Sequence, residues 1–204
     1  MSLTLLDWRR TVFAMYGDVR ATVAADPAGT LQRFRVAKDA LFAGHPDTPI
    51  MPADRPGFDG LSYWPYDPAM RFEVEVEPLE PVGIPSISGV GDVYPLDRIG
   101  RITLPIGSLD VYWVSVYGGG VFIPFRDATN GAETYGAGRY LLDTVKGADL
   151  GGTDGRLIVD FNYAYHPSCT YDPKWSCPLA PPANRLTLPV RAGERLSQDL
   201  TAGR

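Results

Sequence analysis

Leu3, Leu6, Phe13 and Tyr16, flanked by Val12 and Val19, recur at near-helical spacing and predict a first amphipathic helix over residues 4–24. Asp26-Pro27 then supplies a helix cap and a proline at the first turn, where its missing N–H has no partner to lose. Leu31, Phe34, Leu41 and Phe42 continue as a second helix, which Gly44 and Pro46 stop. Between residues 45 and 71 prolines arrive every few positions, which excludes helix and predicts an ordered, extended surface loop. "FEVEVE" changes the period to two, with Phe72, Val74 and Val76 on one face and Glu73, Glu75 and Glu77 on a wet one.

Further strands are predicted at "RITLP", "DVYWVSVY", "VFIPF", "TYGAGRYLL", "RLIVDFNYA" and "NRLTLPV", separated by glycine, proline and Asn-Gly turn signals. Gly118 to Gly120 reads as a hairpin tip; no helix or Lys-Ser/Thr follows to make it a phosphate loop. "GIPSISGVGDVYPLDRIG" reads as an irregular, compressed stretch. The fold expected is mainly β, an antiparallel β-barrel or β-sandwich with two N-terminal α-helices packed on it as a brace. It forms one domain over residues 1–204: helices in 1–44, the proline-rich loop in 45–71, the β core in 72–192 and a flexible polar tail in 193–204.

Composition narrows the function classes. Hydrophobic residues make up 45% of the 204 and charged residues 21%, so a packed core is expected and wholesale disorder is not. The net charge of -5 is spread along the chain, and the absence of a basic run argues against nucleic acid as partner. Lys38, Lys146 and Lys174 are the few lysines among mostly arginine cations. "MSLTLLDWRRTVFAMYGDVR" lacks the cationic start and apolar run of a signal peptide, and no stretch approaches the roughly 18 apolar residues of a membrane span. The expectation is a cytoplasmic protein, away from membranes, whose cysteines are thiols.

Trp8-Arg9, "KDALFAGHPDTPI", "FDGLSYWPYDPAMRF", "PFRDATNGAETYGAGRYL", "VDFNYAYHPSCTYDPKWSCPLAPPANRL" and "VRAGE" follow one another in an order that resembles the bacterial family catalogued as domain of unknown function 1684. The similarity spans nearly the whole chain, and the two long C-terminal segments carry most of it. It implies a mainly β fold with N-terminal helices, and it implies no activity.

Three constellations are candidates for chemistry. "FNYAYHPSCTYDPKWSCP" holds both cysteines, His166 and three prolines, with His166, Cys169 and Cys177 spaced H-x2-C-x7-C. That spacing matches no standard zinc knuckle, and Asp172 is the only further ligand type nearby, so no metal is expected. A Cys169–Cys177 disulfide is open; so is a nucleophilic cysteine with His166 as base, if a turn at Pro167 brings them together. The bland reading is a stiff loop with packed, reduced thiols, in which Tyr165, Tyr171 and Trp175 cover the mouth of the β core.

The second is "PFRDATNGAETYGAGRYL". A tight turn at Asn130-Gly131 would set Asp127 close to Thr134, with Tyr135 and Arg139 on one strand face. A buried arginine needs a carboxylate, and Asp127 or Asp160 is the expected partner, either as a register strut or as part of a ligand site. The third is "VDFNYAY", with Phe161, Tyr163 and Tyr165 on one face and Asp160 and Asn162 on the other, meeting water or lining a polar cavity that Asn184 also approaches.

No Gly-x-Ser-x-Gly, HExxH, dinucleotide fingerprint or P-loop is present, and no cofactor is expected. The reading favoured is a β-barrel that binds a small organic ligand, anionic ones included, acting as a monomer or homodimer. Arg139, Thr134, Asn162, Tyr165, His166, Tyr171 and Asn184 are the candidate ligand contacts. The same pocket would become a cofactor-free acid–base enzyme, an isomerase, cyclase or hydrolase, if Asp127 or Asp160 acted as base and Tyr135 as acid. The alternative is a protein-interaction module presenting the aromatic, proline-rich loop 161–182.

Overall fold

A computed structural model of the chain describes residues 3–152 and 154–197. Helix α1 (Leu3–Thr22) and helix α2 (Pro27–Gly44) form an antiparallel pair. Asp26 caps α2 by accepting the Gly29 N–H at 2.9 Å, with Pro27 in the first turn. Asp26→Ala should therefore cost about 1 kcal/mol in urea unfolding. On α2 Leu31, Phe34, Leu41 and Phe42 are buried as the pattern requires, whereas Leu3, Leu6 and Phe13 of α1 stay exposed. α1 buries Tyr16 and Val19 instead, and Tyr16 meets Phe34 edge-on at 5.0 Å.

Residues 45–70 run as an ordered loop, broken by short 3-10 turns and by strand β1 (Ser62–Tyr63). Strand β2 (Arg71–Glu75) follows, with Phe72 and Val74 turned inward and Glu73 and Glu75 outward. It pairs antiparallel with β8 (Arg156–Asp160). The main sheet has the order β3-β4-β5-β6-β7, all antiparallel. Its strands are β3 (Glu77–Ile87), β4 (Val93–Leu104), β5 (Gly107–Val114), β6 (Gly120–Phe125) and β7 (Arg139–Asp143). A last short strand, β9 (Glu194–Arg195), pairs with β1. The fold is thus mainly antiparallel β with two N-terminal helices. One core runs through it, from Tyr16 and Phe34 on the helices to Ile102, Val111, Phe125, Val159 and Phe161.

Several boundaries differ from the pattern. "GIPSISGVGDVYPLDRIG" is the long β3–β4 hairpin. Pro85 fits because β3 is an edge strand, and Pro95, on β4 opposite it, stands near the strand's start. Of "TYGAGRYLL" only the end is strand, and "RLIVDFNYA" stops at Asp160, where a 3-10 turn over Phe161–Tyr163 begins. That turn buries Phe161, Asn162 and Tyr163 together, so the expected alternation of faces past Asp160 does not occur. "NRLTLPV" is no strand; its one backbone bridge runs from Arg185 to Arg126, just past β6, and the Asn184 side chain ties it to β5 and β6. Residues 193–197, expected in a flexible tail, are ordered, and Glu194 is almost wholly buried; the rest of that tail lies outside the described residues.

Candidate functional site

The buried arginine finds its carboxylate. Arg139, the first residue of β7, has no exposed side-chain surface, and its Nη2 donates to Asp127 Oδ2 at 2.9 Å and to the Val190 carbonyl at 2.7 Å. Nη1 donates to the carbonyls of Ala192 at 2.5 Å and Glu194 at 3.0 Å. Asp127 Oδ1 accepts the N–H groups of Thr129 at 2.8 Å and Val190 at 3.3 Å. Burial pulls the guanidinium pKa down and the Asp127 charge opposes it. Arg139 is therefore a clamp on the segment 190–194, with only Nε lacking an acceptor.

That clamp positions Glu194, which the sequence reading missed, as it did Lys38. Val190, Ala192 and Glu194 alternate inward along the clamped segment. Gly193 between them has a φ of 76°, and a Cβ there would stand 2.4 Å from the Ala164 carbonyl oxygen. Only glycine lets the chain approach closely enough for the Glu194 N–H to reach that carbonyl at 2.9 Å. The Glu194 carboxylate then collects three partners. Lys38 Nζ donates a short hydrogen bond to Oε1, while the His166 N–H at 2.7 Å and the Tyr171 hydroxyl at 3.1 Å donate to Oε2. Burial pushes the Glu194 pKa up, but the Lys38 charge and these hydrogen bonds outweigh it and hold the carboxyl below its usual value.

His166 is buried, which favours its neutral form. Its Nε2 accepts the Tyr135 N–H at 3.3 Å, and Nδ1 faces Glu194 Oε2 at 3.7 Å. Burial drives its pKa down to about 3, overcoming the attraction of Glu194. Its Nε2 is taken by the Tyr135 N–H, and the hydrogen bonds of Cys169 and Cys177 go to other groups.

Lys38 and His166 form the polar end of a cavity of about 110 Å³ between the helices and the sheet. Trp8, Phe34 and Phe42 line it from the helices, Tyr140 and Tyr165 from the sheet side, and Cys177 from the loop. Lys38 Nζ also stands over the rings of Tyr165 at 4.7 Å and Phe42 at 5.5 Å. The exposed Lys146 marks the mouth. A larger, open hollow lies on the far side of His166 and Tyr171, against Phe58 and Leu61.

Cys169 and Cys177 are free, buried thiols whose side chains are hydrogen-bonded to one another. Cys177 Sγ also accepts the backbone N–H groups of Cys169 and Ser168. These donors outweigh burial and lower the Cys177 pKa, whereas the bond to Cys177, then burial, raise that of Cys169. The Tyr135 side chain hydrogen-bonds Cys169. Tyr135 lies in the loop before β7, so it does not share a strand face with Arg139 as expected.

The remaining candidates serve local structure. Thr134 bonds Thr129 at 2.9 Å and Asn130 at 3.0 Å inside a compact loop, not a two-residue hairpin. Asp160 accepts the N–H and the side-chain amide of Asn162 at 2.9 and 2.8 Å, and Asn162 ties down the Asp67 backbone in both directions. Burial raises the Asp160 pKa against those hydrogen bonds. Asn184 bridges the backbones of Asp110 and Pro124. Asp127 and Arg139 come together, and Tyr165 and His166 come together; Asp160 with Asn162, and Asn184, form separate networks. In loop 161–182 Tyr163, Cys169, Tyr171 and Cys177 turn inward, which removes most of the apolar surface an interaction module would present there. No group of three or more His, Cys, Asp or Glu side chains among the described residues is arranged to hold a metal ion. Nor is any helix among them long and apolar enough to cross a membrane.

Fold and site together define a mainly β protein with a small cavity, open at one end, between an N-terminal helical pair and the sheet. Residues 56–195 match the family described as "Protein of unknown function (DUF1684)", and the chain belongs to that family. It is similar to the solution NMR structure of an uncharacterized protein from gene locus rrnAC0354 of Haloarcula marismortui. The identity is 33%, the TM-score is 0.59, and the match covers 86% of this chain and 97% of that one. None of the curated proteins matches the chain.

Proposed function

We propose that this protein binds a small organic molecule in the cavity between the helices and the sheet, with an acceptor oxygen of the guest, carboxylate or carbonyl, on the Lys38 ammonium. The observation that carries this reading is a buried ammonium at the end of an aromatic-lined cavity. An ammonium has three N–H donors; Glu194 takes one, and the rings of Tyr165 and Phe42 are weaker partners that a ligand oxygen would replace. At about 110 Å³, below the roughly 150 Å³ of a cavity that takes up benzene, the cavity holds at most a single-ring guest, which would extend from Lys38 into the open mouth at Lys146. Tyr165 and His166 are the sequence-predicted contacts that line it. Neither Asp127 nor Asp160 does, so the reading is binding without turnover. The acid–base alternative rests on Asp160, the predicted base whose pKa burial raises.

Benzoate is a suitable probe. In an NMR titration it should give saturable shifts centred on Lys38, Tyr165 and His166. Met15→Trp, which fills the cavity from α1 without touching the ion pair, should weaken binding at least tenfold, about 1.4 kcal/mol. Shifts scattered over the surface, or unaffected by Met15→Trp, would rule the reading out.

A further inference from the structure

We propose that Cys177 and Cys169 form a peroxide-reactive thiol pair in the cavity wall, Cys177 as the attacking thiol and Cys169 as the resolving one. The inference rests on the reading that the cavity admits small molecules. Three donors converge on Cys177 Sγ: the Cys169 thiol and the backbone N–H groups of Cys169 and Ser168. They are where a thiolate needs hydrogen bonds, and Lys146 at the mouth adds a favourable charge. Cys177 lines the cavity, so a guest meets this sulfur; Cys169, one hydrogen bond away, does not line it. A cavity of about 110 Å³ excludes bulky disulfides and admits only a compact oxidant, which makes a small hydroperoxide the fitting substrate class.

The chemistry balances without a cofactor. The Cys177 thiolate attacks the terminal oxygen of ROOH, the S–O bond forms as O–O breaks, and RO⁻ takes up the proton that Cys177 released, giving a sulfenic acid and ROH. The Cys169 thiol then attacks the Cys177 sulfur. The S–S bond forms, S–O breaks, and the hydroxyl leaves as water with the Cys169 proton. An external dithiol returns two electrons and two protons and restores both thiols. Both cysteines are on one loop with seven residues between them, so the pair can close without moving the sheet.

The test treats the folded protein at pH 7 with hydrogen peroxide and reads intact mass and iodoacetamide-reactive thiols. Wild type should lose both thiols and about 2 mass units, reversibly with dithiothreitol, at least about tenfold faster than the same chain in urea. Cys169→Ser should instead accumulate a sulfenic acid that dimedone traps on Cys177, and Cys177→Ser should keep Cys169 reduced. Should a variant fail to fold, the pH dependence of wild-type alkylation decides: Cys177 must react below the pH range of an ordinary thiol. Oxidation no faster folded than unfolded, or dimedone found on Cys169 first, overturns the proposal. Loss of oxidation with benzoate binding intact removes the thiol chemistry alone, while loss of benzoate binding removes the cavity reading on which it stands.

Discussion

Arg139→Met will cost about 3–5 kcal/mol of folding free energy, because it strands Asp127 as a buried charge without its partner. Urea unfolding of the variant and of wild type measures it directly. The informative comparison is the double variant Asp127→Leu/Arg139→Met. An isolated buried ion pair can be replaced by apolar side chains at little cost. Here Arg139 also donates to the carbonyls of Val190, Ala192 and Glu194, and Asp127 accepts the Thr129 and Val190 N–H groups. Those backbone groups stay buried when both charges go, and each unsatisfied one costs about 1–3 kcal/mol. The double variant should therefore remain as unstable as Arg139→Met. Recovery to near wild-type stability would mean that the clamp on residues 190–194 carries no weight.

That clamp also shows which parts of the fold were legible. The alternation of Phe72 and Val74, the Asp26-Pro27 cap and the apolar spacing of α2 are local signals, and each produced the element it pointed to. The segments around 126–138 and 184–194 are held by long-range bonds that no local pattern carries. Asn130-Gly131 suggested a hairpin, but Asn130 turns its amide onto Thr134 and the Tyr135 carbonyl, and the chain coils into a loop. "NRLTLPV" alternates like a strand, yet its only bridge is Arg185 to Arg126, and side chains such as Asn184 and Arg139 hold the rest of it. The long β3–β4 hairpin was hidden by prolines that an edge strand, or the first residues of a strand, tolerate.

The site was half legible. An arginine–carboxylate pair, Tyr165 and His166 were all read from residue type and spacing. Lys38 and Glu194 were not, although both left a trace. Lys38 stands on the apolar face of α2, four residues after Phe34 and three before Leu41, in a chain whose cations are nearly all arginine. Glu194 continues the inward alternation of Val190 and Ala192. A charged residue in an apolar register position is a stronger pointer than a cluster of polar residues in a loop, because burying it demands a partner. Each of these two is that partner for the other.

The same buried cluster makes stability fall as pH drops below neutral. His166 titrates near 6.5 when unfolded and at about 3 when folded, so between those values unfolding takes up a proton. Stability present above pH 6.5 is then lost at up to about 1.4 kcal/mol per pH unit. Lys38 and Arg139 oppose protonation of the ring, Glu194 and Asp127 favour it, and burial decides the direction. Glu194 acts the same way at lower pH: its depressed folded pKa gives stability that is complete above its unfolded value and is lost as pH falls through the folded one. Asp39, Asp143 and Asp160, raised by burial, contribute with the opposite sign in the acid range. His166→Gln isolates the histidine. The stability advantage of wild type over this variant should shrink by about 2 kcal/mol between pH 7.5 and pH 5. A constant difference, or a His166 ring that titrates near 6.5 by NMR in the folded protein, would show that the Glu194 charge cancels the effect of burial and that the ring takes up its proton as readily folded as unfolded.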